Sequence, residues 1–214
     1  MECSLPWLST SRGSPGAATL APFGELDRML HWAQAFGDEL ASMPSAIGAC
    51  DVTVLGRTER AFTTHPEALR VTEGIVNDVW SRVTGDAWDV MVGVRGMSLD
   101  VAKALVAGGP VVDGVETDVI WPLWAKREGF SVGDVATEGL EFDTADRFGP
   151  EVEAAGGPDA WQRALDADPS RWARRLEFAR RRWTPSHASP DGDRLRTSGR
   201  GPALAAGTVC RPVE

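Results

Sequence analysis

Long apolar runs are missing from this sequence: no stretch approaches the roughly 20 apolar residues a membrane-spanning helix requires, so no transmembrane segment is predicted. Cysteine is scarce. Cys3, Cys50 and Cys210 are odd in number and far apart, with no CxxC spacing and no neighbouring histidines. That pattern argues against a disulfide framework or a zinc site and suits a reducing cytoplasm, the expected location. Positive charge is in deficit, with 22 Lys and Arg against 31 Asp and Glu and a net charge of -9. A sequence-independent nucleic-acid binder needs the opposite balance to neutralise phosphates, and an anionic membrane surface is disfavoured for the same reason. Residues 1–24 lack the basic start and continuous apolar stretch of a signal peptide. No internal repeat is present.

What is there suits one ordinary core: 214 residues, 43% hydrophobic and 25% charged. Residues 1–24 are dense in Ser, Gly, Ala and Pro and predict an irregular start, residues 25–183 a single α/β domain ending in helices, and residues 184–214 a disordered tail. "ELDRMLHWAQAF" has helical spacing, and "DVTVLG" alternates as a strand does. "HPEALRVTEGIVNDVWSRVTG" predicts the strongest helix, opened by Pro66, striped by Leu69, Val76, Val79, Trp80 and Val83, and stopped by Gly85. "WDVMVGV" predicts a buried strand, and "SLDVAKALVAGG" a helix capped by Ser98. A helix is expected from Trp121 or Pro122 to Glu128, with Glu116, Thr117 and Asp118 in the loop feeding it. "FSVGDVAT" is a further strand candidate, and two helices follow, divided at Asp168-Pro169. Strands alternating with helices predict α/β layers with any site in the loops at strand ends.

Four loop constellations carry chemistry. Glu25 and Asp27, one residue apart, can both reach a divalent cation, or can simply dress a helix N-terminus. Arg57, Arg60 and His65 follow a strand and precede a helix, a setting for phosphate or carboxylate as well as for solvated charge. Arg95 sits between two glycines that allow close backbone approach or a tight turn. Glu116 and Asp118 precede Trp121 and Trp124; a carboxylate there can act as a general base with the indoles as the floor of a sugar pocket, or as an acidic helix start. The arginines at 171, 174, 175, 180, 181 and 182 predict a solvated basic face.

In this order the segments resemble the later part of a GT-A glycosyltransferase of the family-2 kind, the group that includes dolichyl-phosphate-mannose synthases. "GELDRML" stands where the DxD metal motif does, "ACDVTVLGRTERAF" is like "DVVIGSR", "WDVMVGVRGMSLDVAKAL" is like "D..SGFR.FSR.A...L", and "GVETDVIWPLWAKREGFSV" is like "GFE.DTELL.RA...GY.V". The resemblance spans about residues 24–140. It implies a GT-A-like, Rossmann-related layered sheet with helices, an inverting transfer from a nucleotide-sugar donor to a hydroxyl acceptor, and Mg²⁺ or Mn²⁺ held by Glu25 and Asp27. It further implies Asp118 as the base or acceptor-orienting carboxylate, and a donor-phosphate or acceptor role for Arg57 and Arg95. In the family a nucleotide-binding βαβ half precedes the DxD, and residues 1–24 stand in its place, so most of that half is expected to be lacking. A non-catalytic docking module with a Trp-rich surface is the rival from another class, and a phosphohydrolase using Glu25, Asp27 and Asp118 a third.

Overall fold

The computed structural model describes residues 20–23, 26–112, 114–142 and 144–183. The elements are β1 (Leu20–Phe23), α1 (Leu26–Ala35), α2 (Gly37–Ile47), β2 (Val52–Arg57), α3 (Glu59–Thr63), α4 (Glu67–Thr84) and β3 (Arg95–Ser98), then α5 (Leu99–Gly108), α6 (Thr117–Arg127), β4 (Val132–Thr137), α7 (Thr144–Ala155), α8 (Pro158–Asp166) and α9 (Pro169–Arg182). The protein is mixed α/β, as its alternating pattern predicts. The tail from residue 184 lies outside the described residues. β1 shows that the N-terminal stretch is not irregular throughout: its last residues pair with β3.

The sheet order is β1-β3-β2-β4. β3 runs antiparallel to both neighbours, and β2 is parallel to β4 from Val52↔Val132 to Arg57↔Thr137. β1, β2 and β4 therefore point the same way, and their carboxyl ends share one edge. Arg95, the first residue of β3, lies at that edge, opposite Phe23 on one side and Val54 on the other.

β2 is buried at all six positions because helices cover both faces of the sheet. Val52 and Val54 join one cluster with Val76 and Trp80 of α4 and Val119 and Leu123 of α6. Leu55 faces the other, with Trp32 of α1 and Met43 and Ile47 of α2. α4 follows its predicted stripe at Leu69, Val76 and Trp80, but Val83 is exposed and Glu73 is buried in its place. Gly85 stops it in the left-handed region at φ 85°, donating to Ser81 O. Pro66 lies one position before the first helical residue and has no side chain to cap with; the Asp166 carboxylate accepts from the N–H groups of Glu67 and Ala68 instead, both at 2.9 Å. Ser98 and Asp168 cap α5 and α9 as their positions predict, accepting from Val101 N and Ser170 N.

Two expectations need correction. "WDVMVGV" is buried but forms no strand; the strand is the next four residues. Side chains meet part of its backbone, since Asn77 Oδ1 accepts from Val90 N, while Val94 O accepts from Leu55 N of β2 and the Asp89 carboxylate accepts from Arg57 N. The second concerns α6, which begins at Thr117, so Asp118 belongs to its first turn and Pro122 to its interior. Among the described residues no helix is long and apolar enough to cross a membrane.

Glu39 of α2 ties the loop after β4 to the helical layer. Its carboxylate accepts from Trp32 Nε1 at 2.8 Å, Glu138 N at 2.8 Å and Gly139 N at 2.9 Å. A Cβ on Gly139 would overlap the fully buried Trp32 indole. Gly139→Ala is expected to lower stability by about 1–3 kcal/mol, whereas Gly37→Ala, in open space, should leave it nearly unchanged. Urea midpoints of the two variants check this, and equal midpoints would contradict the packing.

Candidate functional site

The carboxyl edge of the sheet gathers buried charge. Arg95 is 1% exposed, and its Nη2 donates to Asp118 Oδ1 at 2.6 Å while Nη1 donates to Thr117 O. Arg182, from the last turn of α9, meets the other oxygen: Nη2 and Nε donate to Asp118 Oδ2 at 3.1 and 3.3 Å. Burial pushes the pKa of Arg95 down, with Asp118 opposing that shift and Arg182 adding to it. An arginine nevertheless stays charged in a protein, so one carboxylate here serves two cations.

Glu116 makes a parallel contact. Its Oε1 accepts from Nη2 and Nε of Arg181 at 2.9 and 3.1 Å, and its Oε2 is buried with no hydrogen-bond partner. Glu116 occupies the N-cap position of α6 without capping it. Both acids do stand at the start of α6, as the plain alternative has it, and each is in addition bonded to an arginine of α9. The arginine-rich helix α9 is not a wholly solvated face, since consecutive residues 181 and 182 latch it to the 116–118 segment.

Arg57, at the end of β2, builds a second network. Nε and Nη2 donate to the two oxygens of Asp89 at 2.6 and 3.0 Å, and Nη2 donates to Glu73 Oε2 at 2.7 Å. The Arg57 backbone N–H and Asn77 Nδ2 also donate to Asp89, at 3.1 and 2.9 Å. Burial works against the Arg57 charge, but attraction to Glu73 and Asp89 outweighs it and raises its pKa. Asp89 is pushed up by burial and pulled lower overall by Arg57. With its fork filled by two carboxylates, Arg57 has little left to offer a phosphate.

His65 is 1% exposed. Its Nδ1 lies 3.1 Å from Ala61 O, the geometry of an Nδ1–H donor, and Nε2 has no partner. Burial, with the nearby charges of Arg57 and Arg28, lowers its pKa to about 3, so the ring is neutral at pH 7. It packs at 5.2 Å from the Phe142 ring, beside the stacked Phe148 and Trp161.

Of the other candidates, Arg60 stands apart on the surface with Glu138 and Glu141, pairs worth little in water. Trp121 packs half-buried against the core. Glu25 lies outside the described residues, as does the side chain of Asp27; the backbone of Asp27 is in the first turn of α1. The structure thus brings Arg95 and Asp118 into contact, sets Glu116 beside them through α9, and leaves Arg60 and Trp121 out.

Sequence reasoning missed Glu73, Asp89 and Asn77, and the partnership of Arg181 and Arg182 with the acidic segment. Charge complementarity between "ETD" and "RRR" was the available signal. Glu73 and Asp89 gave none, since single acids in a helix and an apolar segment look solvated. Compared with known proteins, the chain matches no family model, no curated protein and no solved structure.

Proposed function

We propose that this chain is a glycosyltransferase-like protein of the GT-A kind, working at the shared carboxyl edge of β1, β2 and β4. One observation carries the reading. β1 ends opposite Arg95 and leads into the segment bearing Glu25 and Asp27, while α6 delivers Asp118 onto Arg95 from the far side of the same edge. Loops at the carboxyl ends of parallel strands are where α/β sheets hold ligands.

In the proposed reaction an acceptor hydroxyl gives its proton to Asp118 and its oxygen bonds to the anomeric carbon. The bond from that carbon to the donor phosphate breaks, and the nucleoside diphosphate leaves with inversion. Arg95 keeps Oδ1 of Asp118 in place, and Oδ2 becomes the base once Arg182 withdraws. Trp121 and Glu116 act from behind the site, by packing and by latching α9.

The described residues do not by themselves fit the divalent cation the resemblance implies. Among them no three His, Cys, Asp or Glu side chains gather, and Asp118 is taken by guanidinium groups. A Mg²⁺ or Mn²⁺ ion would rest on Glu25 and Asp27. The rival reading of a tryptophan-presenting docking module would have to use Trp121, Trp124, Trp172 and Trp183, which are half-buried, since the other described tryptophans are buried.

Phosphorus NMR of GDP-mannose tests the proposal. The full chain with Mg²⁺ is expected to shift the diphosphate resonances weakly, and Asp27→Asn to abolish the shift. No Mg²⁺-dependent shift with GDP-mannose or UDP-glucose would overturn the reading.

A further inference from the structure

Arg171, Arg175, Phe178 and Arg182 are spaced four, three and four residues apart along α9, so they share one face. That face packs against α4. Between the two helices runs a narrow crevice lined by Thr72, Glu73, Met91, Arg175, Phe178 and Arg182. The crevice adjoins the carboxyl edge of the sheet, because Glu73 bonds Arg57 at the end of β2 and Arg182 bonds Asp118, which holds Arg95 at the start of β3.

Its charges do not balance. Glu73 and Asp89 are both spent on Arg57, and Asp118 is shared by Arg95 and Arg182. Half-buried Arg175 donates no hydrogen bond to, and forms no ion pair with, any described residue; its guanidinium lies over the Phe178 ring at 5.9 Å. Burial lowers its pKa, Glu73 opposes this, and the like charges of Arg182, Arg171 and Arg28 lower it further. A chain of net charge -9 has thus gathered Arg171, Arg175 and Arg182 along one face of α9. A half-buried guanidinium with no hydrogen-bonded carboxylate is costly, and its natural complement is an anion that accepts several N–H bonds at once.

We infer that the mouth of the α4/α9 crevice is a binding site for a phosphate group, anchored by Arg175 with Arg171 and Arg182 beside it. The inference does not rest on the transferase reading, since it needs neither Asp27 nor a metal ion. The planar fork of arginine matches the oxygens of a tetrahedral phosphate, as a lysine would not.

Thermal melts of the full chain in EDTA, with inorganic phosphate or pyrophosphate against chloride at matched ionic strength, test it. Phosphate is expected to raise the melting temperature saturably, and pyrophosphate to do so at lower concentration. Arg175→Gln should raise the half-saturating concentration by about tenfold or more, Arg175→Lys should fall between, and Arg174→Gln, exposed on the same helix, should respond as the parent does. If Arg175→Gln does not fold, Arg175→Lys carries the test. A response matched by chloride, or one unchanged in Arg175→Gln and Arg175→Lys, would overturn the site, and so would a response that requires Mg²⁺.

Discussion

Asp118→Ala is expected to cost about 3–5 kcal/mol of folding stability, the loss usual when one partner of a buried ion pair is removed. The cause is what remains behind. Arg95 is almost wholly enclosed and Arg182 nearly so, and both would face one another with no carboxylate between them. Asp118→Asn should show much of the same loss, since an amide keeps a hydrogen-bond acceptor but not the charge. Replacing all three together, Asp118→Leu with Arg95→Met and Arg182→Met, should recover most of it, because packed apolar side chains often replace buried ion networks without penalty. Equilibrium urea unfolding of the single and triple variants decides the matter. A single variant within about 0.5 kcal/mol of the parent, the range typical of surface substitutions, would mean that water or another anion already screens Arg95. The same measurement has to accompany any activity assay at this residue, for a fall in turnover by Asp118→Asn would otherwise mix chemistry with unfolding.

Acid should unfold the protein earlier than its carboxylates alone would require. His65 has a folded-state pKa of about 3 against an ordinary value of 6.5. Between those limits the unfolded chain binds a proton that the folded chain refuses, so stability rises with pH through this window and is lost as pH falls. The full difference, reached near pH 3, is on the order of 4 kcal/mol for one such group. The depressed carboxyl of Asp89 adds a loss of the same sign, since its ion pair with Arg57 disappears as it protonates. His65→Phe separates the two contributions. The ring already packs among aromatic side chains, and a phenyl group there has no proton to bind. Urea midpoints from pH 7 down to pH 4 should fall steeply in the parent and much less in the variant; parallel slopes would show that His65 titrates freely.

Local signals carried much of the fold. α4 has an apolar stripe and a terminating glycine, α5 and α9 have Ser98 and Asp168 as caps, and β2 has β-branched alternation, all determined within one segment. The misreadings share a cause, namely a partner distant in sequence. Residues 88–94 have a strand's composition, but Asn77 and Asp89 satisfy backbone groups that a neighbouring strand would otherwise have satisfied. The start of α6 moved to Thr117 because Glu116 and Asp118 turn their carboxylates to α9 and α6 forms without them as caps. At the candidate site the acids and the arginines were each visible, and their pairing across some 64 residues was not.

The parallel pairing of β2 with β4 and the Asp166 cap on α4 bear on the order in which the chain can fold. The parallel partner of β2 comes 80 residues after it, and α4 waits about 99 residues for the carboxylate that satisfies its first N–H groups. Among the described strands, the one neighbour β2 can gain before then is β3, a four-residue strand. Closing such long loops costs entropy before any contact returns it, which slows folding and leaves an apolar strand edge open during synthesis. A ribosome-bound chain halted before β4 would carry that edge uncovered, and α4 gains its Asp166 cap only when α8 has been made.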